Sequence, residues 1–473
     1  MIGTRRSRQG RGINRRGLLR AGLGGASALT MAGTGLTASR FGATAAPLAQ
    51  DQVALPFWLP GGSPLFCETH TQIAADYSAE NPGVVVEMQC GSDQEQFTER
   101  FLGSIAAGNP PEANVIWDTP VSFGVQGALR PIDDLMPTGE FTPVENWPPS
   151  VLASCQFGGQ TYGLPFTAGS YAIWYNQEMM EAKGIPSDRA SFPKTWDDFR
   201  AMSKEFTQWD GDRLVTAGFV PRPNDFQVTS AIWSALNGGQ LYDAENQRYT
   251  IDSEQNIAFF DYFVSWIDDE YHGDYNAVER SGRWEASADA EGRPPQFQAG
   301  NQWAAESGTW SLGDFYQFGD VVLEQWDVAS YPVGPSGDTV VSGYWPNWLV
   351  IPTGTEHPEQ AFAYLDYLSG IGVLVLFAVL PDLPTNALVP EVTPSGIVEI
   401  RGEAFAESAI DFFRDQLDVA TPMWDSPVQA IQLDQMTIAI DRILNKQSTP
   451  QEGLAEAQRV CQSELDDLLA SQG

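Results

Sequence analysis

Two periodicities alternate along the first part of the chain. Val53–Leu59 is an apolar run of strand length that stops at Pro60-Gly61-Gly62-Ser63, and Val84–Met88 is a second such run. Between them Glu68–Ala79 reads as a helix, closed by Asn81-Pro82-Gly83. Ser92 or Asp93 caps a further helix, in which Phe97, Phe101, Leu102 and Ile105 share one face. Gly108 and Pro110-Pro111 stop it, and Ala113–Trp117 follows as a third strand ending at Asp118. Strand, helix, strand, helix, strand in this compass predicts a parallel α/β unit. Ligands of such sheets bind beyond the carboxyl ends of the strands, which singles out Trp58 with Gly61, Gly62 and Ser63, then Ser92 and Asp93, then Asp118 and Thr119.

Further along, Gly163-Leu164-Pro165-Phe166 leads into an alternating stretch, Tyr171–Tyr175. Thr195 with Asp198 forms a capping box ahead of a helix carrying Phe199, Met202 and Phe206. A long helix is predicted over Ser253–Asp269, a polar surface excursion over Arg280–Pro295, and extended chain at Gln302–Ala305 and Val340–Ile351. Pro358 and Gly370 frame a helix over Glu359–Ser369. Two amphipathic helices close the chain, Val428–Leu444 and Gln451–Leu469, the second capped by Thr449 and Glu452. The apolar run Ile371–Leu380 is too short to span a bilayer and reads as a buried helix.

At 473 residues the chain is long enough for two domains, and its 42% hydrophobic content excludes a disordered polymer. Charge divides it. Residues 1–49 hold eight arginines and no acidic residue, whereas from Asp51 onward 18 basic side chains face 61 acidic ones, a balance of −43. That field repels phosphate backbones and argues against a nucleic-acid partner. The basic stretch contains Arg15-Arg16, then a weakly apolar Gly/Ala-rich run, then Ala43-Thr44-Ala45. This order is that of a twin-arginine export signal, giving a periplasmic or extracellular mature protein. No cysteine near the cleavage region offers a lipid anchor, since the first is Cys67. An even count of four cysteines outside the cytoplasm permits disulfides, and Cys67 with Cys90, each just past an early strand, is the pairing expected.

Several segments, taken in order, resemble the extracellular solute-binding proteins of ATP-driven (ABC) importers, in particular their large sugar-binding branch. They are Asn81-Pro82-Gly83-Val84, Ala106-Ala107-Gly108-Asn109-Pro110-Pro111, Gln126-Gly127-Ala128-Leu129 with Pro131–Leu135, Tyr162–Pro165 with Trp174-Tyr175-Asn176, Thr195–Phe199, Phe297–Gly300 with Ser307–Trp310, and Pro381–Thr385. Ser307-Gly308-Thr309 stands where the family more commonly has asparagine-glycine-proline. The resemblance implies an α/β, two-lobed periplasmic-binding-protein-like fold with discontinuous lobes joined by hinge segments. The N-terminal lobe would comprise 51–163 plus 348–399, and the C-terminal lobe 164–347 plus 400–473. It also implies a carbohydrate ligand, docking on a membrane permease, a monomer, and no cofactor.

A sugar presents C–H faces to aromatic rings and hydroxyls to carboxylates and amides. Candidate platforms near predicted strand ends or hinges are Trp58, Trp117, Tyr171, Trp174, Trp310, Tyr344, Trp345, Trp348 and Trp424, with Asp93, Asp118 and Glu306 as polar partners. Any one tryptophan is more often core than platform; the resemblance raises Trp310 and the Tyr344–Trp348 cluster above that background. No HExxH, GxSxG, Walker loop or CxxC pair is present, and no catalytic or metal-binding residue is assigned. Two rival readings remain: a glycoside hydrolase, which needs only two opposed carboxylates, and a binder of polyamines or other cationic solutes.

Overall fold

The computed structural model describes residues 52–61, 64–91, 94–223, 227–286, 295–317, 323–390, 392–421 and 426–472. The expected export signal, together with Gly62, Ser63, Asp93 and Trp424, lies outside them.

The α/β unit expected at the start is present. Strands β1 (Val53–Leu59), β2 (Val84–Cys90) and β3 (Ala113–Ile116) are parallel and linked by helices α1 (Pro64–Glu80) and α2 (Gln94–Ala106). Helix α1 starts a turn earlier than its apolar pattern suggests, with Pro64 in the first position, where a missing N–H costs nothing. A disulfide joins Cys67 of α1 to Cys90 at the end of β2, with Cα atoms 6.0 Å apart. Cys155 and Cys461 are buried, unpaired thiols, each pushed up to about 12 by burial, and burial of this kind leaves them unreactive.

The organising element is β4 (Leu164–Asn176), thirteen residues buried from end to end. Beyond it lie β5 (Arg213–Phe219), β6 (Gln302–Gly308), β7 (Trp326–Ala329), β8 (Tyr344–Val350) and β9 (Leu383–Pro384). They form one ten-stranded sheet in the order β2-β1-β3-β8-β4-β6-β5 and then the short strand Gln208–Asp210, with β7 and β9 also paired to β4. β8 joins the two halves of this sheet: Trp348–Val350 pair with β3, while Tyr344–Leu349 pair with the first half of β4. The register of β8 shifts between Asn347 and Trp348. The second half of β4, Tyr171–Tyr175, pairs with β6.

Local signals account for many helix boundaries. Thr195 Oγ1 accepts the Asp198 N–H at 3.2 Å at the head of α3 (Trp196–Phe206), and Thr449 with Glu452 does the same at α9 (Pro450–Gln472). Ser253 caps α4 (Glu254–Glu270), and α8 spans Gln429–Leu444. Two expectations need correction. Gly370 does not end its helix: α5 (Pro358–Tyr367) runs through a π turn, Leu368–Gly372, into α6 (Val373–Val379). A side chain at Gly370 would collide with the Phe141 ring, so the glycine serves packing rather than termination. The resulting 22-residue run is long and apolar enough to cross a membrane by length and composition, yet Leu365, Leu368, Val373 and Leu376 are buried in the core around β1 and β3. The stretch read as a surface excursion turns Trp284 and Ala286 inward. Helix α7 (Glu403–Asp418) had no counterpart in the sequence reading; it packs Ala406, Ala409, Ile410 and Phe413 against the core beside Trp174.

His70 of α1 is fully buried, edge-on to Phe66 at 4.6 Å and 6.0 Å from Phe166, with neither ring nitrogen hydrogen-bonded. Burial lowers its pKa from 6.5 to about 3. The unfolded chain therefore binds the extra proton first. The stability that the neutral imidazole permits is complete above pH 6.5 and falls away as pH drops towards 3. Between pH 7.5 and 4 the native chain should lose about 3 kcal/mol more than its His70→Leu variant, read by urea unfolding. Equal acid losses would show that His70 is not buried neutral.

Candidate functional site

The carboxyl ends of β1 and β3 form one wall. Trp58 is half-buried, and the Arg100 guanidinium lies over its ring, 4.0 Å from the centroid. One face of this candidate platform is thus covered by a cation. Asp118 accepts the Thr98 hydroxyl at 3.1 Å. The next residue, Thr119, donates its backbone N–H to Gln429 Oε1 of α8 at 2.9 Å. Trp117 is half-buried and donates Nε1–H to Asn347 Oδ1 at 2.7 Å.

The second wall gathers around Gly169, midway along β4. Trp345 pairs with Gly169 across the sheet and Tyr344 with Ser170, while Tyr171 pairs with Gly308 at the end of β6. Trp310, two residues beyond β6, is half-buried and meets the Tyr171 ring edge-on at 5.1 Å. A Cβ on Gly169 would lie 2.6 Å from the Trp310 ring and 2.8 Å from Asp382 Oδ1, so only a glycine admits the indole here. Of the sequence candidates, Tyr171, Trp310 and Trp345 therefore converge, while Tyr344, opposite Ser170, lies on the other face of the sheet. Together with Trp58, Trp117 and Trp348, the rings of Tyr171, Trp310 and Trp345 belong to one contiguous apolar cluster.

Trp174 and Trp348 occupy the core instead. Trp174 packs against Phe315, Trp326 and Phe413 and donates Nε1–H to the Ser307 carbonyl at 3.1 Å. Trp348 is fully buried and donates to Ser154 Oγ at 3.2 Å.

Glu306 lies beside this aromatic group on β6. Its carboxylate accepts the Thr229 hydroxyl at 2.6 Å and the Trp233 Nε1–H at 2.7 Å, which fixes both oxygens. It lines a small pocket with Phe219, Arg222, Trp284 and Glu285, in which Arg222 pairs with Glu285 at 3.8 Å. This small pocket serves as a polar corner rather than a whole site.

Beneath Trp310 runs a polar chain that the sequence reading did not single out. Asn347 of β8 donates to Thr167 Oγ1 of β4 at 2.7 Å and to Asp382 Oδ2 at 3.2 Å. Thr309, the neighbour of Trp310, donates to Asp382 Oδ1 at 3.2 Å. Its members were within reach of sequence reasoning, since Asn347 lies inside the aromatic cluster Tyr344–Trp348 and Asp382 inside the Pro381–Thr385 turn.

Among the described residues one group has metal-ligand spacing, Glu112, Glu356 and His357. It lies at the opposite end of β3, where Glu112 accepts the His357 backbone N–H at 2.9 Å beside the start of α5, as a helix-terminal carboxylate does.

A family model for bacterial extracellular solute-binding proteins matches residues 72–387. The chain belongs to that family. Its relatives include the maltotriose-binding protein of Pyrococcus abyssi, 23% identical over 309 residues, covering 63% of this chain and 58% of that one. The arabinooligosaccharide-binding protein of Halalkalibacterium halodurans is 22% identical over 316 residues, covering 65% of this chain and 66% of that one. The chain thus spans less than two thirds of these relatives' own lengths. Among solved structures, CpMnBP1 with mannotriose bound superposes with a TM-score of 0.72 at 19% identity, over 87% of this chain and 100% of that one. The solute-binding family has the fold that the resemblance implied: a two-lobed α/β fold of periplasmic-binding-protein type.

Gly169→Ala should force Trp310 or Asp382 from its seat and cost about 1–3 kcal/mol in urea unfolding. Unchanged stability would mean that the indole does not rest on Gly169.

Proposed function

We propose that this protein is the extracytoplasmic substrate-binding component of an ABC transporter, which captures a mono- or oligosaccharide between its two lobes and delivers it to a membrane permease. The observation that carries this reading is the convergence of Tyr171, Trp310 and Trp345 on Gly169, at the point where β4 leaves β8 for β6. Aromatic faces there offer stacking surface, and Glu306 and Asp118 offer hydroxyl acceptors on either side. The names of the relatives, a maltotriose- and an arabinooligosaccharide-binding protein, support the ligand class.

In this reading the lobes are 51–163 plus 348–399 and 164–347 plus 400–473. The register shift of β8 at Asn347/Trp348 supports the second boundary. One lobe holds the sugar, and rotation about β4 and β8 brings the other over it; the ligand drives closure only by preferring the closed form. The protein works as a monomer, exported by the twin-arginine route to the periplasmic or extracellular side without an N-terminal lipid.

Thermal-shift screening of residues 51–473 against sugars, polyamines and glycerol phosphates tests this. A saturable rise in Tm with one class of sugar, and recovery of the sugar intact, is the expected result. Consumption of the sugar would replace capture by hydrolysis, and a response to polyamines alone would replace the carbohydrate. Trp310→Ala should weaken sugar binding more than tenfold in calorimetry while Tm moves by a few degrees at most. Unchanged affinity in that folded variant would remove Trp310 from the site.

A further inference from the structure

Five side chains from separate segments form one hydrogen-bonded chain through the crossing of the sheet. Trp117, from the wall after β3, donates to Asn347; Asn347 donates to Thr167 and Asp382; and Thr309, next to Trp310 on the other wall, donates to Asp382. The chain is shielded from water: Asn347 is 3% exposed and Asp382 7%. We infer that Asp382 is a positioning residue which, through Asn347 and Thr309, ties Trp117 to Trp310 when the lobes close, so that capture of ligand is coupled to protonation of its carboxyl group. The inference rests on the reading of a closing carbohydrate site.

The chemistry follows from what surrounds the carboxyl group. Gly169 of β4, Asn347 of β8, Thr309 and Trp310 after β6, and Leu380 at the end of α6 crowd around it. Among the described residues no lysine, arginine, histidine, phenol or second carboxylate acts on its charge, and the Tyr171 ring is in contact with Trp310. Two neutral donors do not replace water around an anion, so burial raises the Asp382 carboxyl to about 7. When the carboxyl group is protonated, the Thr309 hydroxyl accepts from it and the chain stays intact. Ionisation favours the arrangement in which water reaches the carboxylate in place of its Thr309 and Asn347 donors, which loosens the chain that ends at Trp117. Closing therefore takes up one proton per molecule between the ordinary carboxylate range and about pH 7, and none well above pH 7, where the carboxyl group is ionised in both forms.

Three measurements on wild type and Asp382→Asn test this. In ligand-free protein, infrared difference spectra should show a buried protonated carboxyl that titrates near pH 7 and is missing from the variant. Small-angle scattering without ligand should give a larger radius of gyration at pH 8.5 than at pH 6 for wild type only. Calorimetry with the sugar selected by thermal shift, in buffers of different ionisation heat, should show uptake approaching one proton between pH 5 and 6.5 and none above pH 8. Affinity should fall about tenfold per pH unit across the lower range and level off above pH 8, and the variant should show neither effect. A carboxyl titrating below pH 5, a wild-type affinity independent of pH, or the same slope in the variant would each overturn the inference. If no sugar binds, the carbohydrate reading fails, and the first two measurements still decide for or against Asp382.

Discussion

A buried strand has to pair every backbone group it carries, and in this protein that demand falls on β4. All thirteen of its residues are buried, so its N–H and C=O groups depend on β8, β6, β7 and β9 for partners. The two halves of the sheet are thereby held to one continuous ladder, and the freedom left between them is bending about β4 and β8. The register shift of β8 at Asn347/Trp348 lies where such bending is needed, because a bulge relaxes the ladder and increases local twist. The aromatic group around Gly169 and the polar chain through Asn347 both sit at this crossing. The proposed ligand contacts and the proposed hinge therefore share the same few residues.

Acidity and aromaticity divide the work of the rest of the molecule. Tryptophan-rich packing, with Trp196, Trp233, Trp266 and Trp303 all fully buried, supplies a rigid core on the β5–β6 side. Buried carboxylates within it are satisfied one by one: Glu306 by Thr229 and Trp233, and Glu270 by Ser203, Thr207 and Trp266. Asp382 likewise has two neutral donors, Thr309 and Asn347, but it lies at the β4–β8 crossing rather than within this core.

Much of the architecture was legible in the chain because its signals are local. The strands Val53–Leu59 and Ala113–Ile116 and the boxes at Thr195 and Thr449 each announce themselves within a few residues. What was not legible depends on both faces of the sheet being covered. Along β4 alternate residues point to opposite faces, so Gly169 and Tyr171 share one face, where Trp310 lies, and Trp174 points to the other, towards Phe315 and Phe413. Since both faces are apolar, no alternation in the sequence separates a platform from a core residue. Gly370 misled for a similar reason: the contact with Phe141 that requires a glycine is 229 positions away in the chain. The Asp382–Asn347–Trp117 chain likewise joins segments that only the folded sheet brings together.

The account turns on where a sugar sits. A crystal structure of residues 51–473 with a bound oligosaccharide would test it most directly. The account predicts an intact sugar whose ring face lies on Trp310, with Tyr171 and Trp345 alongside and the lobes closed over it. A sugar bound away from the Gly169 crossing, or found cleaved between two carboxylates, would contradict it.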